Sequence, residues 1–400
     1  MEKDSVDILS DPRQSDVIEG MANKGCYMPN KYFSESWEQA TARFLASVPR
    51  FARLHWVSSP ETKFDIPYVV IGNGPHKIVV NSGIHGLEGY FGSAAQIQFL
   101  REFAMLLRDN AICHEYTFVL IHAINGWGME NRMREVLDKH GGLVDLNRNF
   151  GVDFSNPRAL PQNPLYEKSH GLLLAKPDPV KKLAALTRFR KLHLKDGAWD
   201  AISYGQYVHP DGLFYGGRAA TTENKMTLKI YDHIMADKAC ALTSIGLHTG
   251  LGRFIESRKT ATSKLLVSHP ENDWHSQHFK NIFGGRVAVE TDERAANGPV
   301  LLGDLVDCLE RRYSHLNIPV ATADLEIGTG QFPIKSPIYK RMDMGDARYD
   351  LAHYGKINPK TRQNLTESWY PSSPVWRRAA LENSAVFWRA LVDYVNGKGH

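Results

Sequence analysis

The stretch Asn81-Ser-Gly-Ile-His85-Gly-Leu-Glu88-Gly89 decides the fold class. It follows a β-rich run at 77–81 that reads as a buried strand. It precedes a segment in which Ile97, Leu100, Phe103 and Leu107 recur at helical spacing. A strand that runs through a glycine turn into a helix is the unit of a parallel α/β sheet, and ligands bind just past the carboxyl ends of such strands. The pattern repeats on either side. Strands are expected at 67–71, 116–123, 241–247, 286–289 and 319–327, with a turn at Gly72-Asn-Gly-Pro75. Helices are expected at 37–48, where Ser34 or Ser36 can cap, and at 222–238, 301–315 and 374–396. This alternation predicts an α/β protein whose mixed, mostly parallel sheet is flanked by helices on both faces.

Composition closes off other classes. The 400 residues are 42% apolar and 23% charged, an ordinary globular balance. Net charge is +4, from 48 basic and 44 acidic residues, which is too small an excess to point to nucleic acid. No apolar run approaches the roughly 18 residues of a membrane span, and the acidic N-terminus lacks the apolar core of a signal peptide. The four cysteines, Cys26, Cys113, Cys240 and Cys308, are far apart and form no metal-binding pair. A cytoplasmic protein with reduced thiols is expected.

Four groups of residues can carry chemistry. His85 and Glu88, three apart, can aim an imidazole nitrogen and a carboxylate oxygen at one point, and both are good Zn²⁺ ligands. Taken alone, this pair reads as a helix start with an exposed glutamate. His248, in Ser244-Ile-Gly-Leu-His-Thr-Gly-Leu-Gly252, also stands where a strand enters a glycine turn, and offers a third ligand. Three protein ligands with an open position mark a catalytic zinc rather than a structural one. In Val144-Asp-Leu-Asn-Arg-Asn-Phe150, Asn147 and Arg148 suit a grip on a carboxylate, and Asp145 could fix the tautomer of a ligating histidine. In Asp324-Leu-Glu-Ile-Gly-Thr-Gly330, Glu326 at a strand end could serve as general base, with Asp324 on the same face as a competitor.

These pieces, in this order, resemble the zinc carboxypeptidase superfamily, which includes succinylglutamate desuccinylases and aspartoacylases. The likeness is greatest to its branch of largely uncharacterised carboxypeptidase-like proteins. It runs from about residue 32 to about 330. It includes Tyr32-Phe-Ser-Glu-Ser-Trp-Glu-Gln-Ala-Thr-Ala-Arg-Phe44 and Gly205-Gln-Tyr-Val-His-Pro-Asp-Gly-Leu-Phe-Tyr-Gly-Gly217 besides the motifs above. The resemblance implies one Zn²⁺ per chain held by His85, Glu88 and His248, with Glu326 as general base. It implies that Asn147 and Arg148 hold a substrate carboxylate and that Asp145 orients a ligand histidine. An arginine that steadies the oxyanion is implied at Arg132 or Arg134, and spacing from Gly126 favours Arg132. The activity implied is hydrolysis of an amide bond beside a carboxylate in a peptide or small molecule. Removal of the acyl group from an N-acyl amino acid is the alternative. A non-catalytic metal- or ligand-binding protein is a second one, although such a protein is expected to lose Glu326 or a ligand, and none is lost here.

The sequence departs from that family in three places. Asp138-Lys-His-Gly-Gly142 is longer than usual. Gly246 stands where relatives tend to have an aspartate before the Leu-His pair, so a carboxylate near His248 is missing there. No tyrosine aligns with the mobile phenol that carboxypeptidases place over the substrate. Because the candidate residues span 85 to 326, one sheet must assemble the site, and a single domain is expected. Residues 1–30 are expected as a polar lead-in and 31–400 as one metallohydrolase domain. Within it, a proline-rich insertion at about 151–215 walls the cleft and carries a basic helix at 180–195. A turn-rich rim and final helix occupy about 331–400. His269, His275 and His278 are expected in a solvated loop rather than at a second metal site.

Overall fold

The computed structural model describes residues 7–9, 31–108, 114–157, 202–291, 303–330 and 337–397, with scattered positions between 160 and 187. The basic helix expected at 180–195 lies almost wholly outside the described residues.

Nine strands form the main sheet: β1 (Asp7–Leu9), β2 (Arg53–Ser58), β3 (Ile66–Gly72), β4 (His76–Ser82), β5 (Tyr116–Ile121), β6 (Ala241–Thr249), β7 (Ser263–Val267), β8 (Ala288–Thr291) and β9 (Val320–Ile327). Their spatial order is β1-β2-β3-β5-β4-β6-β9-β7-β8. The four central strands, β5-β4-β6-β9, are parallel, and antiparallel pairings join the flanks to them. The parallel centre explains the unbroken apolar run of β4, since both of its faces are covered by helices. The strand β1 lies in the stretch expected as a polar lead-in, where it extends the sheet edge by pairing with β2.

Alternate side chains of the central strands feed two cores. On one face, Ile78, Val80, Ile245 and Leu325 pack with α1 (Trp37–Leu45), α2 (Gly89–Gln98), α5 (Trp274–Phe283) and α9 (Pro374–Val395). On the other, Val79, Val119 and Leu242 pack with α4 (Thr222–Met235) and α6 (Leu305–Tyr313). Helix α1 is capped by Ser36, whose hydroxyl accepts from Gln39 N–H at 3.1 Å. Among the described residues no helix is long and apolar enough to cross a membrane.

The 331–372 region differs from expectation. Instead of turns it holds two helices, α7 (Pro337–Tyr354) and α8 (Pro359–Trp369). The inward side of α7 carries Lys340, Arg348 and Asp350, all buried, beside Met344 and Ala347. A polar buried stripe hides the apolar periodicity by which helices are recognised in sequence.

The turn after β4 is fixed by close backbone contacts. A short helix α3 (Gly126–Asn131) crosses under it, and Gly86 N–H donates to Arg134 O at 3.1 Å while Leu87 N–H donates to Met133 O at 3.0 Å. A Cβ on Gly86 would lie 2.2 Å from the carbonyl carbon of Gly128, so only glycine fits. Gly86→Ala should therefore cost about 1–3 kcal/mol of stability in denaturant unfolding. A variant as stable as the wild type would show that this crossing is loose.

Candidate metal and catalytic site

The strand ends converge. His85 and Glu88 lie in the turn between β4 and α2, with Glu88 immediately before the first turn of α2, where the helix dipole favours a negative charge. His248 is the penultimate residue of β6, and Glu326 lies beside it in register on β9. Glu88 bridges the two imidazoles: its Oε1 is 2.9 Å from His85 Nδ1 and its Oε2 is 3.0 Å from His248 Nδ1. Oε2 also accepts from Thr249 N–H at 3.0 Å. All three side chains are buried. Burial alone would raise the Glu88 pKa, but the two imidazoles hold this carboxyl well below the usual range.

This donor set fits a divalent cation. The 2.9 and 3.0 Å from the imidazole nitrogens to the carboxylate are near the roughly 3.3 Å edge of a tetrahedron with ~2.0 Å bonds, and all three groups offer a ligand atom within 4.8 Å of the others. His85 Nδ1 is buried without a hydrogen-bond partner among the described residues, so this nitrogen is left over for a cation. The two rings stand 5.0 Å apart at 61°, an inclination that lets both lone pairs aim at one point.

Two other clusters, His269–His275–Glu310 and His170–His209–Asp211, bring donors as close together, but their ring geometry opposes a shared ion. The His269 and His275 rings stack with centroids 3.6 Å apart and planes within 6°. An ion between them would sit about 1.8 Å off each plane, whereas a bond of ~2 Å needs the in-plane lone pair. The His170 and His209 rings stack in the same way at 3.9 Å. The segment expected as a solvated loop is also more ordered than that: His275 lies in the first turn of α5, and His269 Nε2 bonds both oxygens of Glu310 at 3.0 Å.

Around these three side chains, Asp145 lies 3.3 Å from His85 Nε2. It also accepts from Asn147 N–H at 3.0 Å and pairs with Arg134. Asn147 and Arg148 line the same pocket. The amide oxygen of Asn147 accepts from Leu305 N–H at 3.0 Å, which fixes the plane of the amide. Arg148 donates to Ser203 O through Nε at 3.1 Å and through a second guanidinium nitrogen. Glu326 is buried in the pocket, where its Oε2 accepts from Leu251 N–H at 3.2 Å. Burial pushes its carboxyl up to about 7, against the opposing pull of His248.

Arg132, favoured from spacing, does not join them. It takes a left-handed conformation (φ 56°) as the cap of α3, stacks over Tyr90 at 4.3 Å and donates to Glu35 O at 2.6 Å. That reversal turns the chain so that Arg134, two residues on, points inward. Arg134 lines the pocket 3.7 Å from Glu88 Oε1, and its Nε has no hydrogen-bond partner among the described residues. Lys340, Met344 and Trp369 of α7 and α8, together with Ser203 and Phe214, also line the walls. None of these wall residues belongs to a strand-end motif, so no sequence pattern marks them.

The chain has the fold of the zinc carboxypeptidases. Bovine thrombin-activatable fibrinolysis inhibitor, in a structure with tick carboxypeptidase inhibitor, superposes with a TM-score of 0.55 at 10% identity, over 93% of this chain and 100% of that one. The carboxypeptidase A of Helicoverpa armigera gives 0.47 at 11% identity over 95% and 79%. The succinylglutamate desuccinylase of Chromobacterium violaceum gives 0.35 at 12% over 82% and 76%. Residues 33–383 match a family model described as a protein of unknown function (DUF2817), and the chain belongs to that family. No curated protein matches it in sequence.

Metal analysis should find one ion per chain, lost in His85→Ala and kept in His275→Ala. A second ion that leaves with His275 would contradict the argument from ring geometry.

Proposed function

We propose that this protein is a zinc-dependent hydrolase that cleaves an amide bond beside a substrate carboxylate, in the manner of a carboxypeptidase. The observation that carries this reading is the convergence of His85, Glu88 and His248 on one point, with Glu326 beside them on the next strand and in the same pocket. His85 Nδ1, His248 Nδ1 and a Glu88 oxygen would hold one zinc. Bound there, zinc supplies Lewis acidity, which polarises a carbonyl and makes water easier to deprotonate.

The chain's own residues divide the remaining work. A Glu326 carboxyl near pKa 7 can take a proton from water and return it to the leaving nitrogen. Arg134, not Arg132, is the arginine that meets the developing negative charge, since it lines the pocket with a buried N–H left over. Arg148 and the Asn147 amide offer donors for the substrate carboxylate. Their tethers to Ser203 and Leu305 hold them in place before substrate arrives, which lowers the ordering cost of binding.

Glu326→Gln should abolish turnover while zinc content stays at the wild-type level; retained turnover would remove Glu326 from the reaction. Arg134→Ala should lower kcat by about 100-fold, the usual loss of one oxyanion donor, while Arg132→Ala leaves kcat near wild type. The reverse ranking would restore Arg132. Both peptides with a free C-terminus and N-acyl amino acids place an amide beside a carboxylate, so the wild type should be assayed on blocked dipeptides and N-acyl amino acids side by side. Hydrolysis of the dipeptides alone supports the carboxypeptidase reading. Hydrolysis of the acyl amino acids alone replaces it with the deacylase reading, and hydrolysis of neither overturns both.

A further inference from the structure

The two imidazoles of the site are held in nearly the same way. Each turns its Nδ1 to Glu88. The far nitrogen of His85 meets Asp145 at 3.3 Å. The far nitrogen of His248 has no hydrogen-bond partner among the described residues, and the acidic group facing it is Asp324, with Oδ1 at 3.5 Å. Asp324 belongs to β9, not to the strand of His248. In the parallel register Asp324 stands opposite Gly246 and Glu326 opposite His248, so all four positions share one face of the sheet.

Gly246 is a glycine in the middle of a buried strand, a placement that weakens strands and needs a reason. Its φ is not positive, so the reason is space. A Cβ there would lie 2.3 Å from Asp324 Oδ1 and 2.9 Å from His248 Nε2. The volume that a side chain at 246 would fill holds the carboxylate of Asp324.

We infer that Asp324 is the positioning residue for His248, delivered from the neighbouring strand, and that Gly246 is glycine to admit it. The inference rests on the proposed metal site and assigns the carboxylate that position 246 itself does not supply. A carboxylate accepting from Nε2–H fixes the tautomer that leaves Nδ1 unprotonated toward the metal, and raises the basicity of that nitrogen. Asp324 also lines the pocket and is 25% exposed, so its competing role is direct contact with substrate. A readout taken without substrate separates the two.

The test is zinc affinity of the full chain by chelator competition in the absence of substrate, with the thermal midpoint of the metal-free protein as the check on folding. Asp324→Ala should bind zinc about 10–100-fold more weakly, with the metal-free midpoint unchanged. Asp324→Asn keeps an acceptor and nearly the same volume, so it should fold as the wild type does and lose less affinity. Gly246→Ala should weaken zinc by displacing the carboxylate. In the double variant Gly246→Ala/Asp324→Ala the closer clash, with the Asp324 carboxylate, is gone and only the contact with the His248 ring remains, so its affinity should fall below that of Asp324→Ala by less than Gly246→Ala alone falls below the wild type. Unchanged affinity in both Asp324 variants with a raised KM would overturn the inference and make Asp324 a substrate contact. A Gly246→Ala variant that binds zinc as tightly as the wild type would also sink it. A wild type whose zinc is unaffected by His85→Ala would show that the metal-site reading has failed, and this inference with it.

Discussion

A single buried carboxylate, Glu88, ties the site together. It is 2% exposed and lies between two imidazoles, an N–H from the end of β6 and the guanidinium of Arg134. An ionised group so deep is tolerated only when its surroundings offset the lost hydration. The turn after β4 and the end of β6 are therefore bound to one another through its two oxygens. The backbone contacts at Gly86 and Leu87 serve the same end, because they fix the turn from which Glu88 projects. The parallel register then brings Glu326 alongside without any further device.

Residues near strand ends were legible in the sequence. His85, Glu88, His248 and Glu326 each follow a β-rich run and stand beside glycines, and the sheet geometry that makes such positions converge is general to α/β folds. Asp145 was legible for a different reason. It opens a short polar motif, and its own carboxylate caps the turn that carries Asn147 and Arg148. The central parallel sheet followed from the alternation of strand and helix in the same way.

What escaped the sequence depends on the backbone between motifs or on contacts across strands. Choosing Arg134 over Arg132 required the left-handed turn at Arg132, and an arginine there gives no sign of it in a sequence, since asparagine and glycine are the usual signals. Helices α7 and α8 were hidden because their buried faces are partly polar. The pairing of Gly246 with Asp324 was only half visible: alternation put Asp324 on the face of Glu326, but no local pattern tells which residue of the next strand stands opposite. A carboxylate that is absent at one position and supplied from the adjacent strand is a change that only register reveals.

The central claim is that His85, Glu88 and His248 form the chain's metal centre. Anomalous diffraction at the zinc edge, from crystals of the protein as purified, tests it most directly. The account predicts a single peak per chain within bonding distance of His85 Nδ1, His248 Nδ1 and a Glu88 oxygen. No peak there, or a peak only at the stacked pair His269 and His275, would contradict it.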